Sequence, residues 1–160
     1  MPKITNITAP GLFSLSLFVL VLFFAVTPGL QAALDDEVDD FEDYPLTDPL
    51  KYPDWFKQSF LDLRDDLEES IEAGKKGIIV YFGQKRCPYC QKLINVNFGQ
   101  LSIESYTRKH FDLIPIDIWG IEEVTDTNGV TMTQHDFALR EKTNFTPSLL
   151  FIDHTGKVVM

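Results

Sequence analysis

The chain has 160 residues and carries 24 acidic against 14 basic residues, which gives a formal net charge of −10 at pH 7. This excess of acids argues against a nucleic-acid partner, because a nucleic-acid-binding face needs clustered lysine and arginine. The only histidines are His110, His135 and His154. They show no ligand spacing, and a zinc site usually needs four ligands, so we expect no metal site.

The N-terminal part of the chain carries Lys3 and then no charge from residue 4 to residue 34. Within this span, residues 11–26 are almost entirely apolar, and Pro28-Gly29 follows them. A basic residue, an apolar stretch and a helix-breaking pair are typical of a secretory signal. We therefore predict that residues 1–33 form a signal peptide or an uncleaved N-terminal membrane anchor, and that the remainder is exported into a bacterial periplasm.

Residues 34–53 are acidic and then rich in proline. Seven of the nine residues from Asp35 to Asp43 are acids, and such a block repels itself and stays solvated. Three prolines follow before residue 54. We interpret residues 34–53 as a linker, which acts either as a tether or only as a solubilising spacer.

Residues 54–160 predict one α/β domain, because helical and strand-like segments alternate along them. Asp54 is expected to cap a first helix, whose apolar positions step by three or four residues from Phe56 to Ile71 and which ends at Gly74. The later expected elements are a buried strand over 78–82, a helix over 88–98, a short helix capped by Ser102, a strand over 111–118 with a bulge or incomplete ladder at Pro115, a turn at Asn128-Gly129, a helix capped by Thr133, and a strand over 148–153.

The motif Cys87-Pro88-Tyr89-Cys90 lies where the predicted strand meets the predicted helix, and it contains the only two cysteines. A C-x-x-C pair in this place is typical of a dithiol that cycles with a disulfide. Unpaired backbone N–H groups at the helix start and the two basic residues before the motif favour the thiolate of the first cysteine. We therefore predict that Cys87 is the exposed nucleophile and Cys90 the resolving thiol.

Three other interpretations of the motif have weaker support. A purely structural disulfide would close so small a loop that it constrains the unfolded chain little. A zinc site lacks a second C-x-x-C pair. Covalent haem requires histidine directly after the second cysteine, and Gln91 is there instead.

The strand, the motif, the helix and the later Thr146-Pro147 before a strand resemble the thioredoxin fold over residues 54–160. This resemblance implies a central mixed sheet flanked by helices, a cis Pro147 that packs against the disulfide, and a backbone at Thr146 that binds the substrate strand. The fold ordinarily continues with a full last strand and a C-terminal helix. We therefore expect the domain in this chain to be truncated before the last helix.

The motif, the stretch Asp117–Gly120 and the insertion Glu123–Asp126 further resemble the exported thioredoxins of bacterial sulfur-oxidation (Sox) gene clusters. What this implies is a periplasmic thiol–disulfide reductase that uses its own redox-active disulfide and no bound cofactor. Its implied partners are a membrane thiol electron donor and exported disulfide proteins, among them sulfur-oxidation proteins. One departure is Tyr81, which stands where many thioredoxins have a buried carboxylate, so the same proton relay cannot be assumed.

Beside the two cysteines we predict that Pro88, Tyr89 and Trp119 contact the substrate. The alternatives are that Tyr89 has no energetic consequence and that Trp119 packs against the insertion. The Pro-Tyr dipeptide and the threonine before proline also occur in oxidants and isomerases of disulfides, which gives a second hypothesis. A redox-inert, thioredoxin-like binding module is the third.

Overall fold

The computed structural model describes residues 44–160. The predicted signal or anchor (residues 1–33) and the acidic block lie outside the described residues and stay predictions. Within the described part, no helix has the length and apolar character needed to cross a membrane. The elements are α1 (Leu63–Glu72), β1 (Gly77–Gly83), α2 (Pro88–Lys92, continuing as a π-helix over Leu93–Phe98), α3 (Leu101–His110), β2 (Phe111–Asp117), β3 (Glu123–Thr125), β4 (Thr131–Thr133), α4 (Gln134–Arg140) and β5 (Ser148–Asp153).

Strand β1 is the centre of a three-stranded mixed sheet with the order β2-β1-β5. It pairs in parallel with β2 and antiparallel with β5, while β3 and β4 form a separate hairpin. All seven residues of β1 are buried, because the strand has a neighbour on each edge and helices against both of its faces. The predicted α/β fold with a central mixed sheet is confirmed.

The two faces of this sheet carry two separate hydrophobic clusters, because successive side chains of a strand point to opposite faces. The α1/α4 face receives Ile78, Val80 and Phe82 from β1. The α2 face receives Ile79 and Tyr81. The α1/α4 cluster consists of Leu63, Leu67, Ile78, Val80, Phe82, Ile114, Ile116, Ile118, Val124, Phe137, Ala138, Leu150 and Ile152. The α2 cluster consists of Phe56, Ile79, Tyr81, Cys87, Cys90, Ile94, Phe98 and Leu113.

The first helix begins later than the sequence predicts. The prediction that Asp54 caps it is wrong, because α1 starts at Leu63 and Asp62 accepts the backbone N–H groups of the first turn. Phe60, counted among the apolar positions of the predicted helix, is fully exposed. Leu61 has φ of 65°, a left-handed conformation that no right-handed helix contains. Gly74, with φ of 77°, follows the last turn as predicted.

The segment before α1 packs against the α2 face. The Leu50 N–H donates to the Lys85 carbonyl at 2.7 Å, and Tyr52 and Trp55 pack around the buried Phe56 and its cluster. Aromatic pairs continue this packing, since Phe56 meets Tyr81 edge-on with ring centroids 5.8 Å apart. The folded unit thus extends to the N-terminal side of Asp54, where the domain boundary was predicted.

Strand β2 accommodates Pro115 without a bulge, and its register with β1 is continuous from Phe111 to Asp117. β2 is an edge strand. The residues two positions before and after Pro115 point their backbone N–H and C=O groups away from β1, and Pro115 has the same orientation. The Leu113 carbonyl accepts from the Lys57 N–H, and the Asp117 N–H donates to Gln134 Oε1. The missing N–H of Pro115 therefore falls on the open edge, which is where a strand tolerates proline. The expected bulge or incomplete ladder is wrong.

Three further local predictions can be compared with the structure. Helix α3 is ten residues long and starts after Gln100, so Ser102 does not cap it. The turn at Asn128-Gly129 is confirmed, with φ of 81° at Gly129. The Thr133 cap is also confirmed, because its Oγ1 accepts from the Asp136 N–H at 3.0 Å.

Candidate active site

The C-x-x-C motif connects β1 to α2. Cys87 is the N-cap of α2 and accepts the Cys90 N–H through its Sγ at 3.0 Å. Pro88 occupies the first helical position, where the missing N–H would have had no partner anyway. The Sγ atoms of Cys87 and Cys90 are bonded at 2.09 Å, so the structure shows the oxidised form. Among residues 44–160, no group of three or more His, Cys, Asp or Glu side chains could hold a metal ion.

Cys87 is buried, with 1% of its surface exposed, and the prediction that it is exposed is wrong for this oxidised form. The physical reason is Thr146. Its Oγ1 lies 3.3 Å and its carbonyl oxygen 3.8 Å from Cys87 Sγ. Because the disulfide sulfur has no hydrogen, the hydroxyl is the donor in this contact. Thr146 thus covers Cys87 Sγ in the oxidised form.

The Thr146–Pro147 peptide bond is cis, as the resemblance implies. It directly precedes β5, which pairs with β1, and this pairing brings the Thr146-Pro147 turn back to the motif from far along the chain. Phe145, on the other side of Thr146, is exposed, and its carbonyl accepts from Ser148 Oγ at 2.8 Å. The structure thus brings together Cys87, Cys90 and Thr146, three of the predicted site residues.

The remaining predicted site residues lie around the disulfide or at the end of β2. Pro88 is partly buried, and Tyr89 is 49% exposed between the two cysteines. Trp119 is 63% exposed. Its indole contacts Gln84 and His135, neither of which belongs to the insertion Glu123–Asp126. The contribution of Pro88, Tyr89 and Trp119 to substrate binding stays a prediction, as do the alternatives given for Tyr89 and Trp119.

Tyr81 is the residue whose contribution the sequence analysis did not find. It is fully buried, and its Oη donates to the Cys90 carbonyl at 3.1 Å. Burial, together with the neighbouring Tyr52, holds the pKa of Tyr81 well above its usual range. Burial, and secondarily the carboxylate of Asp117, raises the pKa of Tyr52 to about 12. Both hydroxyls are therefore protonated at neutral pH. The signal in the sequence was a tyrosine inside an otherwise apolar strand.

Helix α2 changes from α to π geometry directly after the turn that holds Cys90. The Cys90 carbonyl accepts from the Leu93 N–H as well as from Tyr81 Oη. Insertion of a side-chain donor into the helical hydrogen-bond ladder is a known cause of such irregularities. The Tyr81 hydroxyl thus holds the Cys90 carbonyl close to the point where the helix changes form.

The chain is similar to one protein family and to solved structures of low sequence identity. No curated protein shows significant sequence similarity to the chain. Among solved structures, a thioredoxin-fold protein from Helicobacter pylori is 24% identical over 54% of this chain and 58% of its own, with a TM-score of 0.44, so the chain spans less than two thirds of that protein. A DsbH oxidoreductase is 18% identical over 69% of this chain and 76% of its own, with a TM-score of 0.47.

A disulphide isomerase from Xylella fastidiosa Temecula1 is 14% identical over 69% of this chain and 79% of its own, with a TM-score of 0.45. The sequence of residues 63–160 matches the family described as a thioredoxin-like domain. This match covers more than half of the chain and includes the C-x-x-C motif, Tyr81 and the Thr146-Pro147 turn. The chain belongs to the thioredoxin-like domain family.

Proposed function

We propose that this protein is a thiol–disulfide oxidoreductase that reduces disulfides of exported proteins. The observation that carries the proposal is the Cys87–Cys90 disulfide at the start of α2, with Thr146 Oγ1 3.3 Å from Cys87 Sγ. A bond of this kind in a loop of two intervening residues constrains the chain little. Its redox chemistry, and not a stapling effect, therefore accounts best for its place at the start of α2.

The proposed reaction has two exchange steps and transfers two electrons. The Cys87 thiolate attacks one sulfur of a substrate disulfide, forms a mixed disulfide and releases the other substrate sulfur as a thiolate. The Cys90 thiolate then attacks Cys87 Sγ, which frees the second substrate thiolate and re-forms the Cys87–Cys90 bond. The substrate disulfide is reduced to two thiols, and the protein dithiol is oxidised. A dithiol donor of the membrane must reduce the pair again before the next turnover.

Two features of the site support this order of attack. Cys87 is the N-cap of α2, where unpaired backbone N–H groups favour a thiolate. Cys90 lies one turn further into α2, where its carbonyl accepts from the buried Tyr81, whereas Cys87 stands at the start of the helix. In the proposed complex, the backbone at Thr146 holds the substrate strand by β-augmentation, and Tyr89 contacts the client next to the reacting sulfur.

The compartment and the partners are part of the proposal. An uncharged span from residue 4 to residue 34 supports export into a periplasm, with or without cleavage. The resemblance around Asp117–Gly120 and in the insertion Glu123–Asp126 supports sulfur-oxidation proteins as clients. Outside the cytosol a dithiol is oxidised unless a donor keeps it reduced, which is the reason for including a membrane thiol donor.

A trapping experiment tests the order of attack. With Cys90→Ser, the Cys87 thiolate still attacks but nothing resolves the intermediate, so mixed disulfides with exported proteins accumulate on Cys87. The control is Cys87→Ser, which should trap nothing and should not reduce the disulfides of insulin. Trapping by Cys87→Ser alone would show that the two roles are reversed. Failure of both variants to trap, together with an inactive wild type, would favour a redox-inert binding module.

The direction of electron flow is tested by the reduction potential of the Cys87–Cys90 pair, equilibrated against glutathione. A reductant should lie near the thioredoxin value of about −270 mV, and an oxidant near about −120 mV. The Pro-Tyr dipeptide and Thr146 before Pro147 are the features that keep the oxidant or isomerase as the second candidate. A potential at the oxidising end would replace our proposal by that candidate.

A further inference from the structure

An open cleft of about 570 Å³ lies beside the active-site loop. One wall is formed by Pro45 and Pro49 from the segment before α1, and another by Trp119 after β2. Lys85 and Arg86, the two residues before Cys87, line the same cleft. The cleft therefore borders the loop that leads into Cys87.

Trp119 is exposed but is held in place on three sides. Its Nε1 donates to Gln84 Oε1 at 2.9 Å, and its backbone N–H donates to Asp117 Oδ1 at 3.0 Å. Its ring stacks on His135, with centroids 5.2 Å apart and planes 22° apart. His135 is itself fixed, because its Nδ1 donates to the Ile118 carbonyl at 2.7 Å. An exposed indole that is already immobilised loses little further entropy when a partner packs on it.

The lining of the cleft is basic, although the chain as a whole is acidic. Lys85 and Arg86 are both exposed, and neither forms an ion pair with another of residues 44–160. The one carboxylate in the lining is Asp117, which is already engaged by the Trp119 N–H. The lining thus carries two cations and one carboxylate, a net charge of +1, in a chain whose net charge is −10.

We propose that this cleft binds the part of a client polypeptide that flanks its disulfide, and that it selects flanks in which carboxylates accompany an aromatic side chain. The inference rests on the proposed function and names its substrate class. The client carboxylates pair with Lys85 and Arg86, and the aromatic ring packs on Trp119 between the prolines. Tryptophan and arginine are the residues that most often dominate binding energy at such surfaces.

The electrostatic part of this selection acts mainly on encounter with the client. Charges at the rim of a binding surface change the association rate and its salt dependence more than the chemistry that follows. The preference for acidic flanks should therefore appear in kcat/KM, weaken with added salt, and leave the maximal rate at saturating peptide nearly unchanged.

The test uses the full chain and three cystine peptides that differ only in their flanks, Asp-Phe-Glu, Asn-Phe-Gln or Lys-Phe-Lys. With dithiothreitol as the donor, kcat/KM at low salt should be about tenfold higher for the acidic than for the basic peptide, and the ratio should approach one at high salt. Equal kcat/KM values at low salt would overturn the inference. Failure to reduce any of the three would instead overturn the proposed function.

A pair of charge-matched double variants locates the effect. Lys85→Gln with Arg86→Gln should lower the acidic-to-basic ratio of kcat/KM about fivefold, from about ten to about two. Taking this ratio removes any change in the reactivity of Cys87, which acts on both peptides alike. The control is Lys76→Gln with Lys109→Gln, which removes the same charge at the opposite end of β1, where Gly77 pairs with Phe111. If both double variants change the ratio equally, net charge and not the cleft is responsible, and the inference fails.

Trp119→Ala tests the aromatic part in the same assay. Loss of the indole should lower kcat/KM for Asp-Phe-Glu peptides several-fold more than for Asp-Ala-Glu peptides, and Trp119→Phe should recover part of that difference. An equal loss for both peptides would show that the ring of the client does not pack on Trp119.

Discussion

The two faces of the central sheet are built on the same strands but differ in what they contain. The α1/α4 cluster consists of aliphatic side chains and two phenylalanines, without a hydroxyl or a thiol. The α2 cluster contains both cysteines, Tyr81 and two phenylalanines, and it is partly covered by Tyr52 and Trp55. The first face also buries the Ser70 hydroxyl of α1, which donates to the Gly77 carbonyl at 2.7 Å, but no reactive group. The second face buries the disulfide together with the Tyr81 hydroxyl.

In strand β1, two neighbouring residues lie in these two different environments. Phe82 and Tyr81 are neighbours, both fully buried, and the strand alternation sends them to opposite faces. On the α1/α4 face Phe82 packs on Phe137, with ring centroids 5.8 Å apart. On the α2 face the Tyr81 hydroxyl reaches the Cys90 carbonyl. Adjacent residues of β1 therefore contribute to different properties. Phe82 contributes to packing, and Tyr81 contributes to the position of Cys90.

A substitution confined to the α1/α4 face gives the strongest test of this difference between the two faces. Phe82→Ala should lower the free energy of unfolding by about 3–5 kcal/mol, because it leaves a cavity in a buried cluster. The molecules that stay folded should still reduce insulin at the wild-type rate. Urea unfolding followed by circular dichroism measures the first quantity, and turnover per folded molecule measures the second.

The matched control is Phe60→Ala, which removes the same side chain from a fully exposed position. It should change the free energy of unfolding by less than about 0.5 kcal/mol. A folded Phe82→Ala protein with much reduced turnover would show that the α1/α4 face takes part in the chemistry, contrary to the separation argued here.

The α2 face should behave in the opposite way when Tyr81 loses only its hydroxyl. Tyr81→Phe should lower the free energy of unfolding by about 1 kcal/mol, the usual contribution of one hydrogen bond. Because that bond positions Cys90, resolution of the mixed disulfide should slow by about fivefold. Stopped-flow kinetics with a chromogenic disulfide separates attack by Cys87 from release by Cys90.

Tyr52→Phe is the control for this substitution. It removes a hydroxyl from the neighbouring ring, whose centroid lies 5.7 Å from that of Tyr81, and it should leave the release step unchanged. A slower attack by Cys87 in Tyr81→Phe, with normal release, would contradict a positioning contribution to Cys90.

The parts of the fold that the sequence predicted well depend on local signals. The apolar run of β1, the Thr133 capping box, the Asn128-Gly129 turn and the C-x-x-C motif each act over a few residues. The start of α1 was missed because Asp54 and Asp62 are both good helix caps, and the spacing of Phe56 and Phe60 imitates a helix. Their positions are decided by tertiary packing against the α2 face, which local pattern cannot show.

The sequence identified the residues of the candidate site but did not predict that Cys87 is buried. The two cysteines, Thr146 and Pro147 are all recognisable from short motifs. That Cys87 is covered depends on Thr146, which lies 59 residues further along the chain. The hydrogen bond of Tyr81 likewise depends on how β1 packs under α2. A sequence pattern identifies such residues, but the distances between them depend on the tertiary fold.

The smallest expected difference between the faces is their response to alkaline pH. Burial raises the pKa of Tyr52 to about 12, whereas the unfolded chain titrates near 10. Between these two values the unfolded state has lost a proton that the folded state retains, so stability falls as pH rises. At pH 10 the loss from this tyrosine is about 0.4 kcal/mol relative to pH 8. Tyr52→Phe should remove it, while Tyr44→Phe, at an exposed position, should not. Urea unfolding at both pH values measures the difference, and equal alkaline losses in wild type and Tyr52→Phe would show that Tyr52 does not carry this titration.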